Sequence, residues 1–135
     1  MKSSYNSNIT FGDLIATITF ISNPKKIVEF GILEGYSLKK FINNSSNECL
    51  IEAYDLFNDF NGNHSSFNII EKFGQYKNVK IEKANFYEKL LDFNDYSIDI
   101  LHIDIANNGD VYDFIFKNGI SKIVKGGYII LEGGS

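Results

Sequence analysis

Two glycines and the polar side chains around them have the spacing of a ligand-binding turn. The segment EFGILEGYS, from Glu29 to Ser37, contains Gly31 and Gly35 and follows a short apolar run. Apolar residues return at helical spacing directly after it. A strand, a glycine-rich turn and a helix in this order bring a ligand against backbone N–H groups at the helix N-terminus. Glycine suits such a turn because a Cβ atom would block either the backbone conformation or the ligand.

The spacing departs from the dinucleotide-binding pattern. That pattern would place glycines at positions 33 and 36, where the chain has Leu33 and Tyr36. The difference favours a nucleoside ligand without a pyrophosphate. Asp55 follows the next apolar run, about 20 residues beyond the turn, and its carboxylate can accept hydrogen bonds from both hydroxyl groups of a ribose. The alternative is that the glycines serve tight packing and that Asp55 is a solvated strand end.

A second group of side chains has the types needed for a base or a metal ligand. The run SIDILHID predicts a buried strand that ends at Asp104, with His102 two residues earlier on the same face. An imidazole or a carboxylate can accept a proton from a hydroxyl group, and a carboxylate can also bind Mg²⁺. Asp110 and His64 are further candidates. The alternatives are a buried, hydrogen-bonded strand histidine for His102 and a helix cap for Asp104.

The elements that position these residues alternate along the chain. The first helix is predicted to begin after the N-cap Thr10 and to end before Pro24. Strands are predicted at 27–30, 49–54, 79–82, 97–103 and 128–131, and helices at 35–43, 65–73, 86–93 and 110–124, with a turn at 125–127. This alternation predicts a Rossmann-like α/β fold, with a parallel sheet and helices on both faces. The candidate groups follow strand carboxyl ends, where open α/β sheets bind ligands.

The composition predicts one globular domain. The 135 residues are 44% hydrophobic and 22% charged, with a net charge of −4. All 13 basic residues are lysines and none forms a run longer than a pair, which argues against a nucleic-acid partner. One cysteine cannot form an internal disulfide, and no apolar run approaches the roughly 20 residues of a membrane span. We therefore expect a cytoplasmic protein without a membrane partner, with a flexible arm at 1–9 and one domain at 10–135.

In these motifs the sequence resembles the class I S-adenosylmethionine-dependent methyltransferases, from about residue 10 to its last residue. The segments similar to the family's motifs are VEFGILEGYSL, YDLF, KIEKANFYEKL, SIDILHIDIANNGDVYDF and KGGYIILEGG. They correspond in order to the glycine-rich first motif, the acidic second motif, the third strand, the fourth motif and the turn before strand five. More narrowly, AYDLFNDFNGNH and ILHIDIANNGDVY resemble the small-molecule and sugar O-methyltransferases of the macrocin O-methyltransferase-like branch.

The resemblance implies a cofactor, a sheet order and a set of contacts. S-adenosylmethionine would be the cofactor, and the five strands would lie in the order 3-2-1-4-5. The residues expected to bind it are Gly31, Gly35 and Ser37 at the methionine part, Glu29 at the amino group, Asp55 and Leu56 at the ribose, and Asn85 and Phe86 at the adenine. The reaction would be methyl transfer to a hydroxyl group of a sugar or glycosylated metabolite, with Asp104 and His102 as catalytic candidates. In metal-dependent relatives a carboxylate at the Asp104 position binds Mg²⁺, which is the second candidate cofactor.

The resemblance also implies a longer domain, because these enzymes continue with a further helix and a sixth and seventh strand. Without them, strand 128–131 is an apolar sheet edge. This predicts either a truncated C-terminus or a homo-oligomer formed through that edge. The alternative function is therefore a methyltransferase-like module that holds the cofactor or assists assembly without catalysis. A nicotinamide-dependent oxidoreductase is disfavoured by Leu33 and Tyr36.

Overall fold

The computed structural model describes residues 8–57, 66–105 and 109–132. The strands are β1 Lys26–Phe30, β2 Leu50–Asp55, β3 Val79–Lys83, β4 Ile98–Ile103 and β5 Ile123–Leu131. The helices are α1 Phe11–Ser22, α2 Tyr36–Asn44, α3 Ser66–Phe73, α4 Phe86–Lys89 and α5 Asp110–Phe114. Apart from its last two residues, the arm predicted at 1–9 lies outside the described residues.

The five strands form one parallel sheet in the order β3-β2-β1-β4-β5, as predicted. β2 pairs with one side of β1 and β3 pairs with β2, whereas β4 pairs with the other side of β1 and β5 pairs with β4. The strand order therefore reverses between β1 and β4. A crevice forms outside the carboxyl ends of the strands at such a point, and open α/β proteins bind their ligands there.

The sheet separates two apolar cores, because successive side chains of a strand point to opposite faces. Ile27 of β1 belongs to the core under α1, α2 and α3, whereas its neighbour Val28 belongs to the core under α4 and α5. The first core includes Ile15, Leu38, Phe41, Ile51 and Phe73, and the second includes Phe30, Tyr54, Phe86, Leu101 and Val111. Helices therefore cover both faces, which confirms the predicted architecture.

The first helix begins where the sequence predicts. The Thr10 hydroxyl accepts a hydrogen bond from the Asp13 N–H, and the Asp13 carboxylate accepts one from the Thr10 N–H in return. This reciprocal pair is a capping box, which satisfies backbone donors that the helix itself leaves open. Within the described ranges, no helix is long and apolar enough to cross a membrane.

The last helix and strand differ from the prediction. The helix predicted over 110–124 is α-helical only from Asp110 to Phe114, and it continues as a π turn at Ile115–Gly119 and a 3-10 turn at Ile120–Lys122. β5 begins at Ile123, which pairs with Ile98, and the next pair is Ile100 with Tyr128. The predicted turn at 125–127 is thus a bulge within β5. β-branched residues favour a strand, and the glycines that follow Ile123 and Val124 allow the strand to bulge.

Candidate functional site

The turn after β1 is packed closely against the tip of β4. Gly31 has a φ of +91°, and its N–H donates to the Tyr54 carbonyl oxygen at 2.8 Å. A Cβ atom at Gly31 would lie 1.9 Å from the Asp104 carbonyl oxygen, and one at Gly35 would lie 2.4 Å from the Phe73 ring. Tight packing therefore accounts for both glycines, and the glycine motif alone does not identify a ligand.

Asp55 fixes the same turn from β2. Its Oδ2 accepts hydrogen bonds from the N–H groups of Ile32 at 2.7 Å and Leu33 at 3.3 Å, and its Oδ1 accepts one from Phe57 at 2.7 Å. Leu33 has a φ of +50°, a conformation that costs free energy in a residue with a side chain. The Asp55 carboxylate compensates for part of that cost by binding the strained backbone. The residue predicted to bind a ribose is thus first a structural support of the turn.

Three charged side chains from three adjacent strands meet beside this turn. His102 of β4 lies between Glu29 of β1 and Glu132, the residue after β5. Its Nδ1 is 2.9 Å from Glu29 Oε1, and its Nε2 is 2.8 Å from Glu132 Oε2. Glu29 and His102 are fully buried, whereas 29% of the Glu132 side chain is exposed. The Ser37 hydroxyl also donates to Glu29 Oε1.

The two oxygens of Glu29 differ sharply in their surroundings. Oε1 accepts hydrogen bonds from Ser37 and from the His102 ring. Oε2 is buried and has no hydrogen-bond partner among the described residues. A buried carboxylate oxygen in this state costs roughly 1–3 kcal/mol relative to a satisfied one. Glu29 Oε2 can therefore still accept a hydrogen bond from a suitable donor.

The carboxylates change the protonation of His102. Burial alone lowers the pKa of His102, but the hydrogen bonds and negative charges of Glu29 and then of Glu132 outweigh it and raise the pKa above its ordinary 6.5. The Phe41 ring packs against the imidazole edge to face, with the ring centroids 5.6 Å apart. The charged form of the ring is thus stabilised inside an otherwise apolar core.

This raised pKa predicts a pH-dependent stability. A pKa raised in the folded state means that the contribution of His102 is complete below pH 6.5 and is lost as the pH rises through the folded-state value. We expect the free energy of unfolding, measured with urea from pH 6 upward, to fall across this window in the wild type and to fall less in His102→Gln. Equal pH profiles for the two proteins would contradict this assignment.

The structure brings most of the predicted cofactor residues to one edge of the sheet. Glu29, Gly31, Gly35 and Ser37 surround the turn after β1, and Asp55 holds it from β2. Leu56 follows Asp55 and is partly exposed. These positions agree with a single ligand lying across the carboxyl ends of β1 and β2.

The two residues predicted at the adenine lie in different environments. Asn85 is exposed after β3, and its side-chain oxygen accepts a hydrogen bond from the Tyr87 N–H as the N-cap of α4. Phe86 is buried in the second core, where its ring centroid is 5.0 Å from that of Phe30 and 5.4 Å from that of Phe114. The Phe86 side chain is therefore a core element, and its predicted contact with adenine stays a prediction.

The two predicted catalytic residues lie in different environments, and their catalytic role stays a prediction. His102 is buried and both its ring nitrogens face carboxylates, whereas Asp104 is exposed beyond the end of β4. Across the described residues, no three His, Cys, Asp or Glu side chains converge as a metal site. The Mg²⁺ site at Asp104 stays a prediction. His64, a further candidate base, lies outside the described residues, and Asp110 is exposed at the start of α5.

Sequence reasoning missed the contact of His102 with Glu29 and Glu132. A signal was present, because Glu29, His102 and Glu132 all interrupt or end apolar strand runs. In the sheet Glu29 is the register partner of His102. Ionisable residues on neighbouring buried strands need partners, so the strand order would have suggested this pairing.

Comparisons with known proteins identify the fold. No family model and no curated protein sequence matches the chain. Among solved structures, it is similar to a methyltransferase from Geobacter sulfurreducens, with a TM-score of 0.70, 18% identity and coverage of 92% of this chain. It is also similar to the SAH-bound methyltransferase PaMTH1 from Podospora anserina, with a TM-score of 0.69, 19% identity and coverage of 90%. A third similar structure is the O-methyltransferase TomG from Streptomyces achromogenes, solved with SAM, with a TM-score of 0.70, 18% identity and coverage of 89% of this chain.

The chain corresponds to part of each of these proteins. It covers 60% of the Geobacter protein, 51% of PaMTH1 and 53% of TomG. Together with the sequence motifs at the carboxyl ends of the strands, these similarities show that this chain has the fold of the class I S-adenosylmethionine-dependent methyltransferases.

Proposed function

We propose that this domain binds S-adenosylmethionine and transfers its methyl group to a hydroxyl group of a small molecule. The observation that carries the proposal is the buried Glu29 Oε2, which lacks a partner among the described residues. The ammonium group at the methionine end of the cofactor is a donor of the right charge for that oxygen. The residues of the site therefore fit this cofactor at the position where the fold binds ligands.

The other proposed contacts use the turn after β1 and the neighbouring strand ends. Ser37 lies in the first turn of α2, so a ligand at the N-terminal end of this helix meets backbone N–H groups and a positive helix dipole. The carboxylate of the methionine part would lie there. We propose that Asp55 and Leu56 contact the ribose, and that the exposed Asn85 contacts the adenine amino group. In this proposal Asp55 binds the ligand in addition to the turn, since each carboxylate oxygen can accept more than one hydrogen bond.

Methyl transfer from this cofactor depends more on alignment of the two reacting groups than on activation of the methyl group. The bound cofactor supplies a methyl group on a sulfonium, which is already an electrophile. The protein must hold the acceptor oxygen in line with that methyl group, and a base must take the proton that the hydroxyl group releases. Asp104 is exposed beside Gly31 at the carboxyl end of β4, so we assign this role to Asp104.

The acceptor class rests on the sequence resemblance. The macrocin-like segments favour a sugar or a glycosylated metabolite. Several of the similar structures are O-methyltransferases, which agrees with an oxygen acceptor. The proposed setting is the cytoplasm, where the buried Cys49 stays a thiol.

The alternative is a module that binds the cofactor without catalysis. This alternative concerns these 135 residues, which correspond to between 51% and 60% of the three similar structures described above. Tyr128 to Leu131 would then be the strand edge through which the domain pairs, either with a second copy or with a further segment.

Isothermal titration calorimetry with S-adenosylhomocysteine tests the proposal. We expect saturable binding of one ligand per chain and no comparable binding of NADH. Methyl transfer from S-adenosylmethionine to a panel of sugars then separates the two functions, because binding with turnover supports the enzyme and binding without turnover supports the module. The absence of S-adenosylhomocysteine binding would contradict both.

A further inference from the structure

The cluster of Glu29, His102 and Glu132 is more elaborate than a single cofactor contact requires. Both ring nitrogens of His102 lie within 2.9 Å of a carboxylate oxygen. An ionised carboxylate only accepts hydrogen bonds, so both ring nitrogens must donate. In its charged form, which the raised pKa of His102 favours, the ring bridges two carboxylates, one fully buried and one that reaches the surface.

Among the described residues, the cluster still lacks one hydrogen-bond donor and one positive charge. Two carboxylates and one imidazolium carry a net negative charge. The only unpartnered polar side-chain atom among the buried described residues is Glu29 Oε2. Buried charges are retained in proteins when they are paired. One further cationic donor at Glu29 Oε2 would complete both the hydrogen bonding and the charge balance.

We propose that His102 is a positioning residue for the amino-acid end of the cofactor, an inference that rests on the proposed function. By donating from Nδ1 to Oε1, it holds the Glu29 carboxyl group in place and leaves Oε2 for the ligand's ammonium group. Glu132 fixes the ring from the opposite side through Nε2. The site therefore selects nucleosides that carry a terminal amino group.

The geometry offers a matched pair of variants. In His102→Asn the side-chain amide nitrogen takes the approximate place of Nδ1, so a donor to Glu29 is kept and the contact with Glu132 is lost. In His102→Gln the amide nitrogen takes the approximate place of Nε2, so the contact with Glu132 is kept and the donor to Glu29 is lost. Both variants are neutral and polar, so a difference between them reports the position of the hydrogen-bond donor and not the loss of the His102 charge.

The test compares two ligands by calorimetry. S-adenosylhomocysteine has the amino-acid end, and 5′-methylthioadenosine is the related thioether without it. We expect His102→Gln to weaken binding of S-adenosylhomocysteine by about tenfold or more and to change binding of methylthioadenosine by less than about twofold. His102→Asn should recover most of the lost affinity. Glu132→Gln should weaken S-adenosylhomocysteine selectively, but by less than His102→Gln does.

Equal losses for both ligands would overturn the proposal, because a purely structural role lowers both affinities. Equal effects of His102→Asn and His102→Gln would also overturn it. Thermal unfolding of each variant shows whether it is folded. If His102→Gln does not fold, the proposal is tested by whether Glu132→Gln weakens S-adenosylhomocysteine more than methylthioadenosine. Wild-type protein that binds neither ligand would refute the proposed function, whereas wild-type binding without the selective loss would refute only the role of His102.

Discussion

Glu29→Gln should weaken binding of S-adenosylhomocysteine by about 10- to 100-fold, since a hydrogen bond to a charged group is worth about 1.5–3 kcal/mol. The substitution keeps the shape of the side chain and an oxygen that can accept from Ser37 and His102. It places an N–H₂ donor where Oε2 stands, and that donor faces the ligand's ammonium group. Isothermal titration calorimetry measures the loss directly.

A matched control is Glu48→Gln, which makes the same chemical change at an exposed residue in the loop before β2. That loop lies at the amino ends of the strands, away from the turn after β1. We expect its affinity for S-adenosylhomocysteine to equal that of the wild type. If Glu29→Gln also bound with wild-type affinity, Glu29 would have no role in binding the cofactor.

Gly31→Ala should destabilise the folded protein by about 3 kcal/mol or more, because two separate costs add. Gly31 has a φ of +91°, which residues with a Cβ atom rarely adopt. The added Cβ would also lie 1.9 Å from the backbone oxygen of Asp104. Rotation of a side chain cannot relieve that contact, so the tip of β4 must move away from β1. Urea unfolding gives the change in free energy.

Gly126→Ala isolates the first of these costs. Gly126 has a φ of +80°, but no atom lies within 4 Å of its added Cβ. We expect this variant to lose only about 1–2 kcal/mol, the cost of the backbone conformation. Equal losses at Gly31 and Gly126 would show that the close approach of β1 and β4 contributes nothing to stability.

Much of the fold can be predicted from local sequence patterns. Each strand is a short apolar run bounded by turn residues, and polar residues at the carboxyl ends mark one edge of the sheet. Thr10 followed by Asp13 predicts the start of α1, and Pro24 predicts that this helix ends before it. The parallel sheet follows from the alternation of strands with helices, whereas the strand order came from the resemblance to the methyltransferases.

Other features depend on contacts between distant residues. Val111, Ile115 and Ile123 fit one helical stripe in the sequence, so the start of β5 cannot be placed without the pairing of Ile123 with Ile98. The role of Asp55 in the turn depends on a backbone conformation at Leu33 that residue type does not predict. The bridge from Glu29 through His102 to Glu132 requires the order of three strands before it can be inferred.

The most direct test of the central claim is a crystal structure of this chain with S-adenosylhomocysteine. We expect density for the ligand across the carboxyl ends of β1 and β2. The ligand's amino nitrogen should lie within hydrogen-bond distance of Glu29 Oε2, and its ribose hydroxyl groups beside Asp55. Density for the ligand at another place, or an amino group turned away from Glu29, would contradict the account.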